Sequence, residues 1–245
     1  MPDPRAERVR TKICGVRRPE DARAAVAAGA HYVGAILSPG FGRSVEPSVA
    51  AGFVEDGEAV LVGVLVDAET DEVLSAARVA RARVIQLHGE EPPGVLRALR
   101  SEGDWRLWKA VRVRDADDIG LALDRWVGVA DGILLDGHRQ GRVGGGGVSF
   151  PWEALEAVRD QVPASLALVV AGGLTPENVG EAVRRLAPDV VDVSSGVESR
   201  PGVKDPERIR AFVESVRRAA ADIGRGYEPL GGEEDGGPGV GVAFR

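Results

Sequence analysis

The residues best suited to chemistry in this 245-residue chain sit at the ends of short apolar runs. Lys12 and Cys14 lie two apart in the run Lys12-Ile13-Cys14-Gly15. Side chains alternate along a strand, so an ammonium and a thiol share one face. A nearby positive charge favours the thiolate, the form that accepts a proton. A lone cysteine in an apolar run is equally at home as a small core side chain. Asp136 follows Leu134-Leu135 and precedes Gly137. A carboxyl group in a closing, partly dry pocket has a raised pKa and can serve as general acid. At a strand end it can also simply cap a turn.

Other candidates bind rather than react. Gly172 and Gly173 follow one apolar run, and Ser195 and Gly196 follow the next. Small residues let backbone N–H groups approach phosphate oxygens closely, and a helix N-terminus adds a favourable field. Such loops are also ordinary turn chemistry. Arg43 sits in the glycine-containing loop Ser38–Ser44 and suits an anionic substrate or a solvated surface. Gln86 and His88 share a strand face, with His88 the weaker candidate because single histidines are often structural. Lys109 and Asp192 fall at interior-type positions. Asp192 would pair with Lys12 if the first and last strands are neighbours, since an unpaired buried lysine is costly.

These side chains need a scaffold. Apolar runs near Val9–Ile13, Tyr32–Leu37, Val60–Val66, Val84–Leu87, Leu107–Val111, Gly132–Leu135, Leu166–Ala171 and Val190–Val193 read as strands, several nearly continuous in Val, Leu and Ile. Helical patterns fill the gaps, beginning at Pro19, Asp71, Gly94, Asp115, Trp152, Pro176 and Pro206, with a shorter one over Pro47–Val54. Thr175 and Asp205 are N-cap candidates. Eight strand–helix units in one chain of this length predict an α/β fold, a single-domain (β/α)8 TIM barrel. Neither a GxGxxG after the first strand nor a P-loop supports an open nucleotide-binding sheet. In such a barrel the active site lies at the C-terminal ends of the strands, with phosphate often held after strands seven and eight. The expected division is an N-terminal extension over residues 1–8, the barrel over 9–220 and a disordered tail over 221–245. Gly224–Arg245 holds eight glycines, too few apolar groups to offset ordering entropy.

Composition narrows the function. With 31 basic against 38 acidic residues the net charge is −7, which argues against nucleic acid as a partner. No run reaches the ~20 apolar residues of a membrane helix, and the N-terminus lacks a signal-peptide core. One cysteine rules out an internal disulfide and a cysteine zinc site. The expectation is a cytoplasmic enzyme acting on a small molecule, with neither membrane nor nucleic-acid partner; the pattern assigns no oligomeric state.

Taken together, these segments resemble the phosphoribosylanthranilate isomerase family of tryptophan biosynthesis over about Val9–Arg217. Lys12–Ala30, Val84–Glu91 (VIQLHGEE), Ala171–Val179 (AGGLTPENV) and Val191–Ile209 (VDVSSGVESRPGVKDPERI) carry the resemblance. It implies an Amadori rearrangement of N-(5-phosphoribosyl)anthranilate, with no metal or organic cofactor. It implies Asp136 as general acid and Cys14 as general base, with Arg43 near the anthranilate carboxylate. Gln86 and His88 would line the substrate site, and Gly172, Gly173, Ser195 and Gly196 would lie at the phosphate. Two loops depart from the family. Val148 stands where a lysine is usual and Pro151 where an acidic or amide residue is usual, and the loop before Arg43 lacks the common proline. These changes bear on loop closure, affinity and rate. Three other readings compete. An indole-glycerol-phosphate synthase would show lysines and glutamates on several strand ends. A ribulose-phosphate epimerase would show metal-type histidines and aspartates, whereas only His31, His88 and His138 occur. A non-catalytic or altered-substrate phosphate-binding barrel is kept open by the changed sixth loop and opposed by the retained Cys14 and Asp136.

Overall fold

Parallel strands covered on both faces need near-continuous apolar runs, and the eight runs above supply them. The computed structural model describes residues 8–137 and 151–227. Strands β1 (Arg10–Ile13), β2 (Tyr32–Ile36), β3 (Val60–Leu65), β4 (Val84–Leu87), β5 (Arg106–Val113), β6 (Gly132–Gly137), β7 (Ala167–Val170) and β8 (Val190–Val193) close into a parallel barrel in chain order. Closure is made by β1, which pairs with β2 on one side and β8 on the other. Around it run α1 (Pro19–Ala27), α2 (Pro47–Ala50), α3 (Thr70–Ala80), α4 (Pro93–Glu102), α5 (Ala116–Trp126), α6 (Trp152–Glu156), α7 (Val179–Leu186) and α8 (Pro206–Asp222). The predicted (β/α)8 barrel is therefore the observed fold. Among the described residues no helix is long and apolar enough to cross a membrane.

Two cores result. One lies between strands and helices and includes Ile13, Ile85, Leu96, Leu107 and Phe212. The other fills the barrel with Tyr32, Val62, Val84, Trp108, Leu134, Val169 and Val190. Trp108 is its largest member, edge-to-face on Tyr32 with ring centroids 5.1 Å apart. Gly132 makes this possible, because a Cβ there would stand 2.8 Å from Trp108 Cδ1.

Several expectations are corrected. Lys109 does not face the interior: Trp108 and Ala110 do, and alternation turns Lys109 outward. Helix α7 starts at Val179 rather than Pro176. The Asn178 side chain folds back, accepting from Thr175 N (2.8 Å) and donating to Gly173 O (2.9 Å), so Thr175 heads a turn instead of capping a helix. Asp205 does cap α8, accepting from the N–H groups of Glu207 and Arg208. The helix from Trp152 stops at Glu156, and a 3-10 turn covers Arg159–Gln161. A hairpin of β9 (Glu198–Arg200) and β10 (Val203–Lys204) was not foreseen. The barrel also extends past residue 220. Val9 N donates to Gly226 O (3.1 Å), and the Tyr227 hydroxyl donates to Gly29 O (2.7 Å). The glycine run 144–147, Val148 and the chain beyond 227 lie outside the described residues.

Candidate active site

The interior face of β1 carries Lys12 and, just past its end, Cys14. Lys12 stands in register with Asp192 of β8, and its Nζ donates to Asp192 Oδ1 at 3.0 Å. The Lys12 side chain is fully buried, so this pairing is what allows a charge there. Burial by itself would lower the ammonium's pKa, but Asp192 and Cys14 beside it hold it above its usual value. The thiol responds in the opposite sense to expectation. Burial pushes Cys14 up, and although Lys12 and Lys204 pull toward the thiolate, burial prevails. Two glycines make room for this arrangement. A Cβ on Gly34 would meet Cys14 Sγ at 2.9 Å, and one on Gly15, which has φ 69°, would meet the Arg43 stem at 2.6 Å.

Asp136 projects from the end of β6, with β7 and β8 between it and β1. Its Oδ2 lies 3.6 Å from His88 Nε2. His88 Nδ1 in turn sits 2.8 Å from Gln86 Nε2, and Gln86 is fully buried on the interior face of β4. Gln86 Oε1 has no partner among the described residues. The three predicted residues Gln86, His88 and Asp136 therefore form one chain across the ends of β4 and β6. A side pocket of about 220 Å³ opens next to them, lined by His88, Glu90, Arg112, Trp126 and Asp136 among others. It reaches Asp136 from the α5 side, and Cys14 is not part of its wall.

The predicted glycine loops meet on the other side of the mouth. Gly172 and Gly173 both adopt left-handed backbone, φ 85° and 64°. Their N–H groups have no acceptor among the described residues. Ser195 and Gly196 open a 3-10 turn over Ser195–Val197. A Cβ on Gly196 would collide with the Leu174 carbonyl oxygen, so the two loops are in direct contact. The result is a ridge of backbone donors between β7 and β8, suited to an anion.

Arg43 is drawn into the site rather than left on the surface. Its Nε and one terminal nitrogen each donate to Glu198 at 2.7 Å, a two-pronged charged contact. Lys204 Nζ donates to the same Glu198 at 3.0 Å and to Ser194 O at 3.0 Å. Burial pulls the Lys204 ammonium below its usual value. Burial would raise Glu198, but Arg43 and Lys204 hold its carboxyl below the usual range. Neither Glu198 nor Lys204 was assigned from the sequence. The signal was present: Pro201-Gly202 between short runs marks a turn, and Gly202 indeed has φ 78°. Lys109 serves structure on the outer face. Its Nζ holds Glu91 at 3.1 Å and the Gly89 carbonyl at 2.7 Å, which fixes the chain that follows His88.

Comparison with known proteins identifies the family. Residues 11–215 match the family described as N-(5'phosphoribosyl)anthranilate (PRA) isomerase. A relative named N-(5'-phosphoribosyl)anthranilate isomerase, from Chromohalobacter salexigens, is 42% identical over 219 residues, 88% of this chain and 97% of its own. The crystal structure of phosphoribosyl anthranilate isomerase from Thermotoga maritima superposes with a TM-score of 0.77 at 35% identity, covering 86% of this chain and 99% of that one. A phosphoribosyl anthranilate isomerase solved with reduced 1-(o-carboxyphenylamino)-1-deoxyribulose 5-phosphate gives a TM-score of 0.74 at 34% identity, with 86% and 99% covered. The chain belongs to the N-(5'-phosphoribosyl)anthranilate isomerase family.

Proposed function

We propose that this protein isomerises N-(5-phosphoribosyl)anthranilate to 1-(2-carboxyphenylamino)-1-deoxyribulose 5-phosphate, a step of tryptophan biosynthesis, and that Asp136 and Cys14 carry the proton transfers. The reading rests on one arrangement. A thiol stands over the buried Lys12–Asp192 pair on one side of the mouth, a carboxyl group stands on the other, and a ridge of backbone donors flanks them.

The reaction has two demands. An acid must protonate the furanose ring oxygen so that the C1–O bond breaks and the nitrogen lone pair forms the Schiff base. A base must then remove the C2 proton, giving an enolamine that ketonises with uptake of a proton at C1 and loss of one from the C2 hydroxyl. No proton is gained or lost overall. Asp136 is assigned the first transfer and Cys14 the second. Burial keeps the resting sulfur as thiol, and Lys12 and Lys204 oppose that tendency. The cationic Schiff base adds a further positive charge beside the sulfur, which favours release of the thiol proton to solvent before the thiolate takes the proton from C2 and becomes the thiol again. Lys12 has its own partner in Asp192 and acts on the sulfur through its field. The N–H groups of Gly172, Gly173, Ser195 and Gly196 are assigned to the phosphate, and Arg43 to the anthranilate carboxylate. His88, within 3.6 Å of Asp136 and braced by Gln86, is assigned to orienting the acid.

The test is turnover of freshly generated phosphoribosylanthranilate, followed by its fluorescence. A protein-dependent rate above spontaneous hydrolysis, lost in Asp136→Asn, is the expected result. A folded protein with no such rate would refute the reading.

A further inference from the structure

We propose that Glu198 is a positioning residue that aims the Arg43 guanidinium at the aromatic carboxylate of the substrate. This rests on the isomerase reading above and adds to it a residue that sets substrate discrimination.

Arg43 belongs to a loop, and its long side chain has no intrinsic reason to hold one direction. Glu198 supplies that reason. Both carboxylate oxygens are used on Arg43, Oε1 on Nε and Oε2 on one terminal nitrogen, at 2.7 Å each. Two parallel bonds to a planar fork fix its plane as well as its place. The inner edge of the guanidinium is thereby occupied, and Nη1 is left uncommitted among the described residues. The stem is also confined, since it crosses directly over Gly15, the residue after Cys14. An incoming carboxylate therefore meets a cation already oriented beside the proposed base.

Glu198 has a second role that keeps it in place. Its Oε1 also accepts from Lys204 Nζ at 3.0 Å, so two cations share one oxygen. Lys204 is anchored to the Ser194 carbonyl, and the short hairpin β9–β10 carries both Glu198 and Lys204. The Glu198 side chain is only 5% exposed, which protects the contact from screening. Without the carboxylate, Arg43 and Lys204 repel each other, and Arg43 is the one free to swing outward.

The experiment compares two substrates in wild type, Glu198→Gln and Glu198→Asp: N-(5-phosphoribosyl)anthranilate and N-(5-phosphoribosyl)aniline, which lacks the carboxylate. Wild type is expected to prefer the anthranilate. In Glu198→Gln the kcat/KM for the anthranilate should fall at least about tenfold, mainly through KM, which corresponds to about 1.4 kcal/mol. The aniline value should change by less than about twofold, so the preference collapses. If Glu198→Gln does not fold, Glu198→Asp reads the same ratio. It keeps the charge Lys204 needs and is one methylene too short to grip both Arg43 nitrogens. Equal losses on both substrates, or an unchanged ratio in an active variant, would overturn the proposal and assign Glu198 a purely structural role. A wild-type protein inactive on both substrates would instead remove the isomerase reading, and this inference with it.

Discussion

Adding a single methyl group at Gly34 separates catalytic placement from stability. By strand propensity alone, Gly→Ala in a strand interior stabilises by about 0.5–1 kcal/mol. The surroundings say the opposite. A Cβ on Gly34 would stand 2.9 Å from Cys14 Sγ and 3.1 Å from both Cys14 Cα and Lys12 Cε. Relaxed contacts between carbon atoms are about 3.5–4.0 Å, so the neighbours must retreat by roughly 0.5–1 Å. The backbone there is pinned, with Cys14 N donating to Val193 O at 2.8 Å and Val16 N donating to Gly34 O at 3.0 Å. Lys12 is pinned by Asp192. The strain therefore falls on the sulfur. Overpacking of this kind costs about 1–3 kcal/mol, which outweighs the propensity gain. For a barrel of this size the melting temperature should drop by about 2–4 °C per kcal/mol. Activity should suffer more, because a misplacement near 1 Å costs about 100-fold in rate. Thermal melts and steady-state turnover of Gly34→Ala provide the two readings. In a Cys14→Ala background the same Gly34→Ala change should destabilise less, since the sulfur is gone. A Gly34→Ala protein with unchanged kcat/KM and a higher melting temperature would refute the reasoning, as would strict additivity with Cys14→Ala.

Other predictions test the remaining parts. Cys14→Ala should abolish turnover while still binding a product analogue, measured by calorimetry; retained activity would take the thiol out of the mechanism. Lys12→Met should raise the titration of the single thiol, followed by thiolate absorbance, and should cost about 3–5 kcal/mol in urea unfolding because Asp192 is left buried and unpaired. An unmoved thiol titration would show that Lys12 does not act on Cys14. Burial pushes the Tyr227 hydroxyl up to about 12 from an ordinary value near 10. Between those values the folded state holds a proton that the unfolded state has lost, so stability should fall as pH rises from about 10 toward 12. Tyr227→Phe should be less stable at neutral pH, through loss of the bond to Gly29 O, yet show a shallower alkaline decline. Parallel declines in the two proteins would contradict this.

Much of the scaffold is written locally. Continuous apolar runs, Pro at helix starts and the Asp205 cap depend on neighbours in the chain, so the eight units and their order are legible from spacing alone. So is the shared face of Lys12 and Cys14, because alternation along β1 requires it, and the Asp192 partner follows once the barrel closes. Lys109 shows where this stops. Alternation says only that Trp108 and Lys109 face opposite ways. Trp108 is the one that enters the barrel, where Gly132 leaves room for its indole. The Arg43–Glu198 contact joins residues 155 apart in the chain, a distance at which no periodicity speaks. The ionisation of Cys14 is illegible in the sequence for the same reason. Charge proximity is readable from adjacent residues, whereas desolvation depends on everything packed around a group, and here it outweighs the two ammonium groups. Sequence alone thus determined the barrel, the order of its strands and most of the groups at its mouth. Tertiary structure decided which way those groups point, what holds them and in which protonation state they rest, because burial and long-range pairing exist only once the chain has closed on itself.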